Sequence, residues 1–369
     1  MKPFEVPPYP YDKLGDLAAA AAALPGGAVD LSIGTPCDPP PDFVVEALAR
    51  SGAERGYPAS IGTPAYREAA AGWMQRRLGV TVDPSALAAC VGTKELVASL
   101  PQHLRLRTPE RDTVLHPELA YPSYAMGASL AGCRAVAYRD LGDIDPADAG
   151  RALCLWVNSP ANPHGVLHDL GEAAAWGRDR GVPVLSDECY VEFTWAGGGA
   201  GRTILEHGTD GVLAVHSLSK RSNLAGVRAG VYAGDAELVR FLAEVRKHAG
   251  LMVPGPVQAA AVAAWADDAH VDAQREVYRR RLTRLAEAVA SLGAEVGLPD
   301  GGFYLWVPAP PNDAGEADGW AFAADLAAAL GVVATPGVTF GTTGAGHVRL
   351  AAVQPDDRIE LVRSRAGLL

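Results

Sequence analysis

From about Pro84 onward, short apolar runs alternate with amphipathic stretches. The runs Leu87 to Val91, Thr113 to His116, Ala152 to Val157, Val182 to Ser186, Val212 to His216 and Gly230 to Ala233 predict strands. Helical spacing predicts helices over Thr93 to Leu104, Pro122 to Ala131, Leu170 to Arg180 and Ala236 to His248. Buried strands alternating with helices imply an α/β large domain, a mostly parallel sheet sandwiched by helices. The texture changes after Pro256. Two long helices, Pro256 to Ala266 and His270 to Leu292, precede short strands at Phe303 to Val307 and Val348 to Ala351, which predicts a smaller α+β domain. The expected division is residues 1–40 as an N-terminal arm and part of the small domain, 41–254 as the large domain and 255–369 as the small domain. Pro308 to Gly319, rich in Pro, Gly and acids, predicts an exposed loop.

Composition narrows the class. A chain of 369 residues with 49% hydrophobic content can bury a sizeable core. A formal charge of -11 argues against a nucleic-acid partner. Five scattered cysteines with no C-x-x-C suggest neither a disulfide framework nor a zinc site, and no metal is expected. Ala18 to Leu24 is too short to span a bilayer, and no basic region precedes an apolar core, so the expected location is the cytoplasm, without a membrane partner.

Chemistry-bearing residues fall where the predicted strands end, which is where an open α/β sheet binds ligands. Gly92-Thr93-Lys94 follows one strand and opens a helix, a place suited to phosphate or to an ordinary Thr-capped turn. Tyr121-Pro122-Ser123-Tyr124 offers an aromatic for stacking on a flat ring, or simply for the core. Asn158 to Gly165 is a defined turn whose Asn162 can donate to a phenolic oxygen or only shape the backbone. Asp187-Glu188-Cys189-Tyr190 sets a carboxylate at a strand end, able to hold a pyridine nitrogen protonated or to cap a helix. Ser217-Leu218-Ser219-Lys220, with Gly226 and Arg228 beyond, joins an amine to hydroxyl and guanidinium donors. The chain has only Lys2, Lys13, Lys94, Lys220 and Lys247, so few amines compete for that role. This pattern is the one expected around pyridoxal 5'-phosphate.

In this order the motifs resemble those of the fold-type-I, pyridoxal 5'-phosphate-dependent aminotransferases of class I/II, over about Leu31 to Arg365. N-P-x-x-N-P-x-G stands as Asn158 to Gly165 with Ser159 for the first proline. D-E-x-Y is intact at Asp187 to Tyr190, as is S-x-S-K with G-x-R-x-G at Ser217 to Gly230. The resemblance implies that Lys220 forms the Schiff base and moves the proton, that Asp187 pairs with the ring nitrogen, and that Tyr121 stacks on the ring. It implies that Asn162 and Tyr190 contact the ring oxygen, and that Gly92, Thr93, Ser217, Ser219 and Arg228 hold the phosphate, with Lys94 beside them. Arg349 in His347-Val348-Arg349-Leu350 matches the family's α-carboxylate-binding arginine, and Ile33-Gly34-Thr35-Pro36 resembles the strand that lines the substrate pocket, which implies that Gly34 and Asn162 meet the substrate. Tyr57 matches a tyrosine that reaches the neighbouring subunit's phosphate, implying a homodimer.

His216 to Gly226, Arg246 to Gly250, Val253 to Gln258 and Pro117 to Tyr121 look most like the succinyldiaminopimelate aminotransferases of lysine biosynthesis. Those enzymes exchange an amino group between N-succinyl-diaminopimelate and 2-oxoglutarate/glutamate. Aspartate-like and L,L-diaminopimelate aminotransferases, and C–S lyases of this fold, are the alternatives. Lys94, Arg246 and Lys247 offer positive charge for a distal carboxylate or stand as solvated helix charges, and the cluster Arg246, Lys247 and His248 is expected near the pocket mouth.

Overall fold

The structure is a computed structural model and describes Phe4, Val6, Pro7 and Pro10–Leu368. It divides into two compact units. The larger holds Thr35–Val277 and Pro299–Gly302; the smaller holds the residues up to Gly34, Tyr278–Leu298 and Phe303–Leu369. The helix Ala269–Ala290 begins in the one and ends in the other.

The larger unit is built on a seven-stranded sheet: β1 (Leu87–Cys90), β2 (Thr113–Pro117), β3 (Arg134–Tyr138), β4 (Ala152–Asn158), β5 (Val184–Asp187), β6 (Val212–Ser217) and β7 (Gly230–Gly234). Their order across the sheet is β1-β7-β6-β5-β4-β2-β3. Only β7 runs against its neighbours; Gly230 pairs with Ser217 on one side and with Cys90 on the other. The sheet is therefore mostly parallel, as the apolar runs imply. Strand side chains alternate between faces. Leu87, Ala89, Val212, Ala214, Val231 and Ala233 join one buried cluster with Trp73 and Trp265. Ala88, Cys90, Leu213, Val215 and Tyr232 join the other with Tyr124 and Trp156. Each fully buried large side chain of this kind contributes roughly 1.5–3 kcal/mol, so the two clusters together hold the helices against both faces.

Local chemistry sets the helix limits. The helix Leu170–Arg180 starts where Asp169 accepts from the Glu172 N–H (2.9 Å) and stops at left-handed Gly181. Ala236–His248 starts at Asp235, which accepts from the Glu237 and Leu238 N–H groups. β3 is a strand the apolar pattern does not predict. It is an edge strand with largely exposed side chains, so burial leaves little mark on its sequence.

In the smaller unit, Thr335–Pro336, His347–Ala351 and Tyr304–Pro308 form an antiparallel sheet, and Val29–Asp30 pairs in parallel with Val332–Val333. Pro311 to Asp318 is exposed. Among the described residues, no helix is long and apolar enough to cross a membrane and no group of metal-ligating side chains forms a cluster.

Candidate active site

Because β7 is reversed, its first residue lies level with the last residues of β1 and β6. That brings three segments together in the larger unit. Gly92 follows β1 at φ 73° and opens the helix Thr93–Arg107. A Cβ there would stand 2.1 Å from Nη2 of Arg228, so only glycine lets the guanidinium lie against the turn. Arg228, itself left-handed at φ 60°, donates from Nη1 to the Ala225 carbonyl (2.9 Å) and to Ser219 Oγ (3.5 Å). Ser217 Oγ accepts from the Ser219 N–H (3.1 Å) and so caps the one-turn helix Leu218–Arg221, which carries Lys220. Gly92, Thr93, Ser217, Ser219 and Arg228 thus gather at one end of the sheet. Helix N-terminus, hydroxyls and guanidinium together form a cradle for an anion. Lys94, expected with that turn, lies 5.4 Å from the centre of the Tyr121 ring, in cation–π range.

Asp187 ends β5, one strand over. Its Oδ2 accepts from the Tyr124 hydroxyl (2.9 Å) and its Oδ1 from the Cys189 N–H (3.2 Å). Desolvation pushes the carboxyl up, while these hydrogen bonds and the charge of Lys220 pull it down. A cation arriving beside such a carboxylate offsets its desolvation. Tyr124 is a residue the sequence reading does not assign. It is buried and packs on Trp156 at 5.2 Å between ring centres. Cys189, between Asp187 and the buried Tyr190, donates from Sγ to Thr93 Oγ1 (3.2 Å), tying the β5 end to the anion cradle.

The turn after β4 is braced from within. Asn158 donates to the Asp187 carbonyl (2.8 Å) and accepts from the Asn162 N–H (2.8 Å). The peptides before Pro160 and Pro163 are cis, and Asn162 is buried. Ser159, in place of the family's proline, accepts at Oγ from the His168 N–H (3.1 Å).

Beneath these residues lies a buried polar layer that the sequence reading also leaves out. Glu188 and His216 approach within 3.4 Å, next in sequence to Asp187 and Ser217. Burial pushes the Glu188 carboxyl up to about 8 and His216 down to about 3, so both are neutral near pH 7. Acid–histidine pairs at strand ends are the available signal, but only burial gives them meaning.

In the smaller unit, Arg349 is buried between the rings of Tyr304 (4.3 Å) and Phe340 (4.5 Å). Its Nη2 donates to the Ser32 carbonyl (2.5 Å) and to the Tyr11 hydroxyl (3.3 Å). Gly34 borders the same aromatic; a Cβ there would stand 1.9 Å from the Tyr304 hydroxyl oxygen. Tyr57, in the larger unit, is 99% exposed.

One expectation is overturned. Arg246 does not face a substrate: it is buried and forks onto Glu95, Nη1 to Oε1 at 3.0 Å and Nη2 to Oε2 at 2.6 Å. Buried and charge-paired with Glu95, this guanidinium is not presented to a ligand. Lys247 is exposed beside Glu244 (3.5 Å), and His248 is exposed.

The larger unit's donors fit pyridoxal 5'-phosphate. The cradle at Gly92 and Arg228 suits its phosphate, Asp187 its ring nitrogen, and Lys220, whose charge reaches Asp187, its carbonyl carbon.

Comparison with known proteins agrees with this fit. The model of the family "Aminotransferase class I and II" matches residues 27–364. The chain is 45% identical to 4-dedimethylamino-4-oxo-anhydrotetracycline transaminase OxyQ of Streptomyces rimosus, over 98% of this chain and 99% of that one. It is 44% identical to a probable aminotransferase of Mycobacterium tuberculosis, over 96% of this chain and 84% of that one. Among solved structures, a probable N-succinyldiaminopimelate aminotransferase from Thermus thermophilus superposes with a TM-score of 0.84 at 30% identity, covering 98% of this chain and 100% of that one. A match of this extent, on a chain whose strand ends gather anion-binding donors, a carboxylate and an amine, leaves one reading: the chain belongs to the class I and II aminotransferases and is a pyridoxal 5'-phosphate-dependent transaminase.

Proposed function

We propose that the chain moves an amino group between N-succinyl-L,L-diaminopimelate and 2-oxoglutarate in a ping-pong reaction, as a cytoplasmic homodimer. The observation that carries the transamination chemistry is the meeting of three parts at adjacent strand ends: the Gly92–Arg228 cradle, the Tyr124–Asp187 hydrogen bond, and the helix bearing Lys220. Bound there, pyridoxal 5'-phosphate supplies an electron sink for the charge left when a Cα proton is removed. The chain's residues do the rest. Gly92, Thr93, Ser217, Ser219 and Arg228 hold the phosphate. Asp187, oriented by Tyr124 and the Cys189 N–H, holds a proton on the ring nitrogen. Asn162 and Tyr190 meet the ring oxygen and Tyr121 the ring face. The Lys220 amine would take the proton from Cα and deliver it, across the intervening nitrogen, to what was the cofactor's carbonyl carbon. Arg349 binds the carboxylate common to donor and acceptor, held flat between Tyr304 and Phe340 so that its fork is oriented before substrate arrives. Tyr57, nearly all exposed on one chain, reaches the partner's phosphate site.

Two things support the substrate: the His216 to Gly226 motif and the likeness to the Thermus protein. The burial of Arg246 removes one support, since the distal carboxylates then need other donors. A second reading has its own observation. The 45% identity to a transaminase named for an oxo-anhydrotetracycline favours a cyclic ketone as amino acceptor. A screen of kcat/KM over both classes decides, because that ratio expresses discrimination. N-succinyl-diaminopimelate should exceed aspartate, alanine and aromatic donors with 2-oxoglutarate. A higher value for a polycyclic ketone as acceptor, with glutamate as donor, refutes the diaminopimelate assignment.

A further inference from the structure

Lys220 sits on a helix of one turn, Leu218–Arg221. So short a helix does not hold itself in place. The next residue, Arg221, is 2% exposed. All five of its N–H donors are used. Nε donates to Glu192 Oε1 (3.0 Å), Nη1 to Ser222 Oγ (3.3 Å) and the Ala264 carbonyl (2.7 Å), and Nη2 to the Asp267 carbonyl (3.0 Å) and Asp268 Oδ1 (2.9 Å). Its guanidinium also lies over Trp73 (5.6 Å) and Trp265 (5.3 Å). Glu192 is held in turn by the Trp73 indole N–H (2.7 Å) and by Arg77 (3.1 Å). A buried cation with every donor satisfied has one low-energy pose, so the backbone carrying it is fixed too.

We infer that Arg221, with Glu192 as its counter-ion, is the positioning residue for Lys220. It locks the one-turn helix to the end of the helix Gly255–Ala266 and to the turn after it, which sets where the neighbouring amine stands. Its charge also biases protonation of the Lys220 nitrogen. The other charged groups of the network are Arg76, Arg77 and Arg275, Asp268 and Asp272, and the His270–Asp267 pair, while Asp187 faces Lys220 itself. The inference rests on Lys220 being the amine that joins the cofactor.

The test uses holoenzyme and five variants: Arg221→Met, Arg221→Lys, Glu192→Gln, Arg281→Met and Lys220→Ala. Arg281 is a buried arginine of the smaller unit, paired with Asp356 at 2.7 Å, and serves as the control for stability alone. The readouts are the pH titration of the visible absorbance, the rate of borohydride fixation mapped to Lys220 by mass spectrometry, the thermal midpoint and turnover. Removing the Arg221 charge leaves Glu192 to Arg77 and Asp268 to Arg76, one positive charge fewer in the network, so the titration midpoint should move up. Glu192→Gln should move it down. Displacing the amine by an ångström should slow turnover by about ten- to a hundredfold in Arg221→Met. Arg221→Lys keeps the charge but not the fork, so it should slow turnover while moving the midpoint less. Arg281→Met should lower the thermal midpoint only. Unmoved titrations and unchanged turnover in Arg221→Lys and Glu192→Gln would overturn the inference, even if Arg221→Met does not fold. Fixation persisting in Lys220→Ala would instead overturn the assignment of the amine, whatever the Arg221 variants do.

Discussion

Glu95→Gln should destabilise this protein more than Arg246→Met, although the two residues form one ion pair. The asymmetry follows from unequal burial: the Arg246 side chain is 2% exposed and that of Glu95 26%. Glu95→Gln strands a guanidinium where water does not reach, and the new amide turns a donor toward Nη2. Breaking a buried pair from that side costs about 3–5 kcal/mol. Arg246→Met leaves a carboxylate that water reaches and that still accepts from Ser99 Oγ (2.8 Å), while methionine fills the space of the arginine stem. That loss should be about 1–2 kcal/mol. The double variant should lose less than the sum, with a coupling of about 1–3 kcal/mol. Urea unfolding of the holoenzyme, followed by tryptophan fluorescence, reads all four states. Because Arg246 is spent on Glu95, Arg246→Met should change kcat/KM equally for donors with and without a second carboxylate. Equal destabilisation by the two single variants, or a selective rise in KM for the dicarboxylic donor, would refute the reasoning.

Four further outcomes are expected. Lys220→Ala should lose borohydride fixation of the cofactor and nearly all turnover, with Lys94→Ala retaining both. Gly92→Ala must place a Cβ on Arg228 at positive φ, so cofactor affinity should fall at least about tenfold, beyond the ~1–2 kcal/mol of backbone strain; dialysis against dilute cofactor measures it. Tyr11→Phe removes a hydroxyl from Arg349, so the dissociation constant for a non-reacting dicarboxylate should rise about three- to tenfold with little change in kcat. Glu188 is held protonated by burial up to about 8, so the folded chain keeps a proton that the unfolded chain releases near 4.5; buried neutral His216 acts oppositely below about 6.5, so the fall of stability with rising pH shows between about 6.5 and 8, and Glu188→Gln should flatten the thermal midpoint across that upper range.

Much of this was legible in the chain. The helices Leu170–Arg180 and Ala236–His248 fall where the pattern predicts them, because Asp169, Asp235 and Gly181 mark their ends chemically. The strands of the large sheet read as apolar runs because both faces are covered. β3 did not, because an edge strand needs no such run. In the site, the residues at strand ends could be found in order, since strand ends are local features. Partnerships across the fold could not. Glu95 stands 151 residues from Arg246, and nothing near either residue announces the other. Tyr124 meets Asp187 only because the helix Ser123–Leu130 packs on the sheet. The neutral state of Glu188 and His216 is a property of burial, and a sequence carries it only through its fold.

The reversed strand β7 also constrains how this chain can diverge. Residues 218–229 form a cassette pinned at both ends, by Ser217 opposite Gly230 and by Gly230 opposite Cys90. Substitutions within the cassette leave both pins in place. A single inserted or deleted residue does not. If β7 kept its register, the change would fall on the turn before Arg228 and displace the Ala225 carbonyl that holds its guanidinium. If β7 slid by one to follow, Val231 and Ala233 would exchange faces with Tyr232, and both cores would be inverted along that strand. The cassette is therefore fixed in length as well as at Ser219, Lys220, Arg221 and Arg228, and length variation among relatives should accumulate elsewhere.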